Sequence, residues 1–251
     1  MNPVAIALSA PPAALLAGAS MFLDFDGTLV EIAERPDAVA VDARLRALIT
    51  CLTERLDGRV AIISGRAAAD IRTLFGDLPI AIAGSHGVEL CWPDGRIQTP
   101  DRPAALDHVL GEMAALRERY PGVLIEDKPF GAALHYRQAP EAEEEARALA
   151  ERLAREHGLA LQPGKMVFEI QLHGRDKGAA LRAFMAEPLM DGTRPVFIGD
   201  DITDESAFAA ARSLNGFGIL VGPPRATEAL YGLAGVAQSL DWLDVACRSL
   251  K

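Results

Sequence analysis

The feature that most constrains this chain is a rhythm in which short apolar runs, each ending in polar residues beside a glycine, alternate with segments of helical periodicity. Residues 21–25 are such a run and lead through Asp24 and Asp26 to Gly27. Residues 60–63 lead into Ser64-Gly65-Arg66, and residues 195–198 into Gly199-Asp200-Asp201. A run without a polar face suits a strand buried in a parallel sheet, whose C-terminal end opens into a loop. Between these runs, apolar positions over 45–56 recur at helical spacing, a helix is predicted over 67–75, and a further strand over 80–83. Strands alternating with helices predict an α/β fold, a parallel sheet covered on both faces.

The rhythm breaks after His86-Gly87. Residues 88–92 and 96–98 flank Pro93-Asp94-Gly95, a turn sequence that predicts a hairpin. From 103 to 171 the pattern reads helix, strand, strand, helix, strand, strand, with strands at 123–125 and 132–136 and an amphipathic helix over 141–157. The earlier rhythm resumes after Gly174 with a helix over 176–185, the strand at 195–198, a helix over 203–211 and a strand at 217–221 that stops at Gly222-Pro223-Pro224. The expected division is a core of 19–102 and 174–251, an inserted smaller α/β module of 103–173, and a mobile tail of 1–18.

At 251 residues and 50% hydrophobic, the chain has material for such interiors. Its formal net charge of -10 repels nucleic acid and anionic membrane surfaces, and no run of Lys or Arg supplies a local basic patch, so neither is an expected partner. The cysteines, Cys51, Cys91 and Cys247, are odd in number and far apart and include no Cys-x-x-Cys pair. That argues against a disulfide framework and against structural zinc, and suits a reducing cytoplasm. The tail is rich in Ala, Pro and Leu, but no basic residue precedes its apolar stretch and Pro11-Pro12 interrupts it, which argues against a secretion signal.

The chemistry sits at the strand ends. In an open parallel sheet Asp24, Asp26, Ser64, Lys177, Asp200 and Asp201 gather in one crevice beyond the carboxyl edge. Breaking a phosphate ester needs a nucleophile, a proton for the leaving oxygen, and positive charge facing the transferred group. Asp24 suits the nucleophile, because a carboxylate forms an acyl phosphate and divides one hard displacement into two easier ones. Asp26, two residues on, suits the acid that protonates the leaving oxygen and the base that later activates water. Gly27 permits the turn that aims Asp26, and Thr28 either holds that turn or contacts phosphate through its hydroxyl. Lys177 and Ser64 complete a phosphate cradle. Asp24, Asp26 and Asp200 are hard oxygen ligands of the kind Mg2+ takes, whereas zinc prefers His or Cys. Arg66 stays open between a phosphate contact, a contact to the inserted module and a structural ion pair.

As a set, Asp24-Phe25-Asp26-Gly27-Thr28-Leu29, Ser64-Gly65-Arg66, Lys177-Gly178 and Gly199-Asp200-Asp201-Ile202-Thr203-Asp204-Glu205 resemble, in order, the four motifs of the haloacid dehalogenase superfamily. Within it the chain is similar to the trehalose-6-phosphate phosphatase family, through Ala83-Gly84-Ser85-His86-Gly87, Glu126-Asp127-Lys128, His135-Tyr136-Arg137 and Gly164-Lys165-Met166-Val167-Phe168-Glu169. The resemblance implies a Rossmann-like core, a cap that closes over a sugar, Mg2+, and hydrolysis of trehalose 6-phosphate to trehalose and phosphate through an aspartyl-phosphate. It further implies that Glu126, Lys128, Lys165 and Glu169 bind the sugar, with Arg137 beside them. A monomer or weak oligomer is expected. One departure stands out: after Glu169 the family shows Ile-Lys-Pro or Ile-Arg-Pro, and here the sequence is Ile170-Gln171-Leu172. Phosphatases of sucrose phosphate or of a glucosylglycerol-type phosphate are the alternatives within the class. A phosphoacceptor module, which also clusters Asp with a hydroxyl and Lys, is the alternative outside it.

Overall fold

Every position of Ala19–Leu23 (β1) is buried, which requires a strand covered on both faces. The structure, a computed structural model, describes residues 8–33, 39–172 and 176–250. Among them the chain divides into two compact units, Met1–Thr99 with Asp176–Lys251, and Pro100–Arg175.

In the first unit, β1 is followed by Ala43–Arg55 (α1), Val60–Ile63 (β2), Ala68–Phe75 (α2), Ala81–Gly84 (β3), Glu89–Cys91 (β4) and Ile97–Gln98 (β5). In the second unit come Ala105–Arg119 (α3), Leu124–Lys128 (β6), Gly131–His135 (β7), Glu143–His157 (α4), Ala160–Gly164 (β8) and Val167–Gln171 (β9). The first unit then resumes with Lys177–Met185 (α5), Arg194–Gly199 (β10), Glu205–Ser213 (α6), Phe217–Val221 (β11), Tyr231–Leu233 (β12) and Val236–Ser249 (α7).

The first unit's sheet has the order β12-β11-β10-β1-β2-β3-β4-β5, parallel from β12 through β3 and antiparallel in the predicted hairpin at the other edge. Strand residues alternate between its two faces. Met21, Leu23, Ile62 and Ile198 enter one core with Leu52 of α1, Phe75 of α2 and Leu243 of α7. Phe22, Ala61, Ile63 and Phe197 enter the other with Leu181 and Phe184 of α5 and Phe208 of α6. Local signals set the helix starts: Asp42 caps α1 by accepting from Leu45 N at 2.7 Å, and Asp176 caps α5 by accepting from Ala179 N at 2.7 Å. Because β1 sits between β2 and β10, the chain leaves β1 in one direction and returns on its other side. This switch point is where an open α/β sheet forms its crevice.

The second unit is an antiparallel sheet of order β6-β7-β9-β8. One face carries Leu134, Phe168 and Ile170 into a core with Leu106 and Val109 of α3 and Leu153 of α4. The register places Glu126, Ala133, Glu169 and Gln162 in one row across the opposite face.

Three sequence expectations need correction. The tail is packed from residue 8 onward: Leu15 and Leu16 are buried, Trp242 Nε1 donates to Pro11 O at 2.9 Å, and Gly232 N donates to Ser9 O at 3.0 Å. Residues 1–7 lie outside the described residues. The first domain boundary falls at Thr99/Pro100 instead of 102/103, because Arg102 bonds Lys128 O at 2.7 Å and Asp127 at 2.8 Å within the second unit. The other expected boundary, at 173/174, lies outside the described residues. Cys51 and Cys247 form a disulfide, since α1 and α7 pack on the same sheet face and bring together residues 196 positions apart; Cys91 is the buried free thiol. Past the last predicted strand, where the sequence offers no assignment, β12 and α7 complete the unit. No helix among the described residues is long and apolar enough to cross a membrane.

Candidate active site

Asp24 is the first residue beyond β1 and is buried, with its backbone N donating to Ile198 O at 2.9 Å. The chain then turns tightly: Leu29 N donates to Phe25 O at 2.9 Å and Gly27 N to Val30 O at 2.7 Å. Gly27 has φ +81° and its Cα faces the Asp200 carboxylate, so a Cβ there would be both strained and overlapping. The turn thus brings the tip after β1 against the tip after β10.

Lys177, the first residue of α5, is 3% exposed. Its Nζ donates to Asp24 Oδ1 at 2.6 Å and to Asp204 Oδ1 at 2.6 Å. Gly178 lets α5 approach so closely, since its Cα packs on Ser206 O with no room for a side chain. Thr28 Oγ1 lies 3.3 Å from Asp24 Oδ2 and 3.4 Å from Asp200 Oδ1, so the hydroxyl is shared between the two carboxylates. Asp204 is fully buried and also accepts from Asp201 N at 2.9 Å, closing a capping box with Asp201.

Asp24, Asp200 and Asp204 each offer an oxygen, and these atoms all lie within 4.8 Å of one another. Burial and mutual repulsion make that grouping costly without a cation. Burial pushes Asp24 up to about 7, with Lys177 opposing and Asp200 adding to the rise. Burial likewise raises Asp200 to about 6, reinforced by Asp204, and Asp204 to about 6, reinforced by Asp24. Burial works against the Lys177 ammonium, but Asp204 and Asp24 outweigh it and hold it above the ordinary lysine value. One lysine therefore faces three carboxylates. The donors are all hard oxygens, the set that suits a divalent cation such as magnesium.

Asp26 is not among the clustered carboxylates expected to hold metal. Its Oδ2 accepts from Arg66 Nε at 2.7 Å and its Oδ1 from Arg66 Nη2 at 2.8 Å, a two-pronged pair that leaves its side chain engaged elsewhere. Ser64 follows β2 as Asp24 follows β1, is buried, and accepts from Arg66 N at 3.1 Å through its hydroxyl. Asp204 is the residue sequence reasoning missed as a member of the cluster. Its place four positions after Asp200 reads equally as favourable charge in a helix's first turn; the distinguishing signal is Gly199, whose Cα is covered by the Asp204 carboxyl.

In the second unit, three of the expected sugar-binding residues share one sheet face. Lys128 Nζ donates to Glu169 at 2.8 Å between largely buried side chains, and Glu126 pairs with His135 at 3.0 Å. The bond from His135 holds the Glu126 carboxyl below its ordinary value. Lys165 stands apart, exposed at the turn between β8 and β9, and Arg137 donates to its backbone O at 3.4 Å. Gln171, at the position where the family carries a cation, donates to Gln162 at 2.7 Å.

The profile of a family described as trehalose-phosphatase matches residues 22–235. A probable trehalose-phosphate phosphatase of Sinorhizobium fredii is 42% identical over 235 residues, covering 90% of this chain and 89% of its own length. The trehalose-6-phosphate phosphatase of Escherichia coli is 38% identical over 232 residues, covering 92% and 87%. Among solved structures, a trehalose-6-phosphate phosphatase related protein superposes with TM-score 0.79 at 29% identity, over 91% of this chain and 96% of that one. The C-terminal domain of the Candida albicans enzyme superposes with TM-score 0.84 at 21% identity and supports the fold. With motifs, topology and strand-end cluster all in agreement with these matches, the chain belongs to the trehalose-phosphatase family.

Proposed function

We propose that this chain hydrolyses trehalose 6-phosphate to trehalose and phosphate, with Asp24 as nucleophile and Asp26 as acid and base. The observation that carries the reading is the buried Lys177 ammonium, 2.6 Å from Asp24 Oδ1, beside a carboxylate group that calls for a cation. In the first step an Asp24 oxygen bonds to phosphorus as the bond to the sugar oxygen breaks, and Asp26 gives that oxygen its proton. In the second, water attacks the same phosphorus, Asp26 takes the water's proton, and the bond to Asp24 breaks to release phosphate. Lys177 and the Ser64 hydroxyl face the developing negative charge.

Asp24, Asp200 and Asp204 would hold a magnesium ion, which would supply positive charge to offset the clustered carboxylates and the anionic substrate. We assign the second unit as a cap. Glu126, Lys128 and Glu169 would bind sugar hydroxyls with Lys165 and Arg137 at its rim, as the family's motifs imply. The proposed compartment is the cytoplasm, because anionic sugar phosphates do not cross membranes unaided. The Cys51–Cys247 bond argues the other way, and counting free thiols in protein alkylated during lysis decides between them.

Steady-state phosphate release across trehalose, sucrose, glucose and glucosylglycerol phosphates tests the substrate. The highest kcat/KM is expected for trehalose 6-phosphate. A higher value for another sugar would overturn the specificity.

A further inference from the structure

Arg66 has no settled place in the chemistry above, yet it is one of the most firmly held side chains at the strand ends. Its guanidinium meets Asp26 through two parallel bonds, 2.7 Å from Nε to Oδ2 and 2.8 Å from Nη2 to Oδ1. The same group lies over the Phe25 ring, 5.5 Å from the centroid, and Phe25 is itself fully buried and locked edge-on against Phe75. Its backbone is fixed at both ends: Ser64 Oγ accepts from Arg66 N at 3.1 Å, and Ser85 N donates to Arg66 O at 2.8 Å. Side-chain exposure is 15% for Arg66 and 34% for Asp26.

A planar fork on a fixed base sets both the position and the plane of the carboxylate it grips, which an ammonium cannot do. Asp26 sits past the strand on a turn that backbone bonds and the Thr28 hydroxyl hold in place, but those bonds do not reach its carboxyl group, which the Arg66 fork grips and aims. We propose that Arg66 is the positioning residue for Asp26: it orients the carboxyl group that exchanges a proton with the leaving oxygen and then with water. This role rests on the assignment of Asp26 as acid and base. It differs from a phosphate contact, in which Arg66 would act on every substrate alike.

The two roles separate by leaving group. A sugar alkoxide cannot depart without a proton, whereas p-nitrophenolate can. Single-turnover release of the leaving group, the first half-reaction alone, would be compared on trehalose 6-phosphate and p-nitrophenyl phosphate for the full-length wild type, Arg66→Ala, Arg66→Lys and Asp26→Asn, each with magnesium; the water-activating step, common to both esters, then stays out of the comparison. Positioning predicts that Arg66→Ala slows release of trehalose in the first half-reaction about 10²-fold while changing release of p-nitrophenolate less than about threefold, the same pattern as Asp26→Asn. Arg66→Lys keeps the charge and loses the fork, so it should retain most of the discrimination; it also serves if the alanine variant misfolds, as judged by thermal unfolding. Equal losses on both esters in that first step, or weaker binding of both esters with the rate of that step intact, would overturn the proposal in favour of a phosphate contact. If Asp26→Asn shows no discrimination while Asp24→Asn is inactive, the acid and base assignment fails and the proposal falls with it, leaving the nucleophile in place.

Discussion

At the scale of single residues, the site depends on how closely two loops approach. Gly27 occupies a left-handed backbone region and abuts the Asp200 carboxylate, so Gly27→Ala meets both conformational strain and a clash. We expect a stability loss of about 1–3 kcal/mol from the strain alone, read in urea unfolding, together with a weaker stabilisation by magnesium. A variant as stable and as magnesium-responsive as wild type would contradict the tight approach. Asp204→Asn should impair the site though it touches no predicted substrate group, because Lys177 would lose one of its two carboxylate partners. A fall in turnover of at least tenfold is expected, on the scale of losing a charged partner to a buried ion; unchanged turnover would show that Asp24 alone holds the lysine. Asp24, Asp200 and Lys177 were legible in the sequence because each follows or begins an element at a motif position. Asp204 was hidden because charge near a helix start has a bland explanation, and its burial becomes visible only when Gly199 is seen packed under it.

At the scale of elements, alternating apolar runs revealed the parallel sheet because a strand buried on both faces leaves an unmistakable gap in polarity. The same logic gave all six elements of the second unit, where helix periodicity and short strands alternate cleanly. It failed after Val221. There β12 is three residues long at the sheet edge, and α7 owes its place to packing against α1 and the stretch 8–18. The disulfide between α1 and α7 was unreadable for a related reason, since sequence distance says nothing about which helices share a face. That bond closes a very long loop, so reduction, or Cys51→Ser, should destabilise the protein by about 2–4 kcal/mol and lower its Tm. Identical melting with and without dithiothreitol would show that the two helices need no covalent tie.

At the scale of the whole molecule, the buried carboxylates link stability to pH and to cation. Their folded values, about 7 for Asp24 and about 6 for Asp200 and Asp204, lie above the ordinary aspartate value. The folded state therefore binds more protons than the unfolded chain over that interval, and its stability falls as pH rises through it. A divalent cation binds the deprotonated carboxylates and should offset the loss. The rise in Tm on replacing EDTA with magnesium is thus expected to be larger at pH 8 than at pH 5. An equal rise at both values would place the cation elsewhere.

The central claim is that Asp24 forms a phosphoenzyme while Lys177 and the carboxylate-bound cation balance its charge. The most direct measurement is phosphate release from trehalose 6-phosphate by wild type and by Asp24→Asn, with and without magnesium. The account predicts many turnovers by the wild type only with magnesium, and at least a roughly 10³-fold loss in the variant with its fold intact. Turnover by Asp24→Asn at the wild-type rate would contradict it.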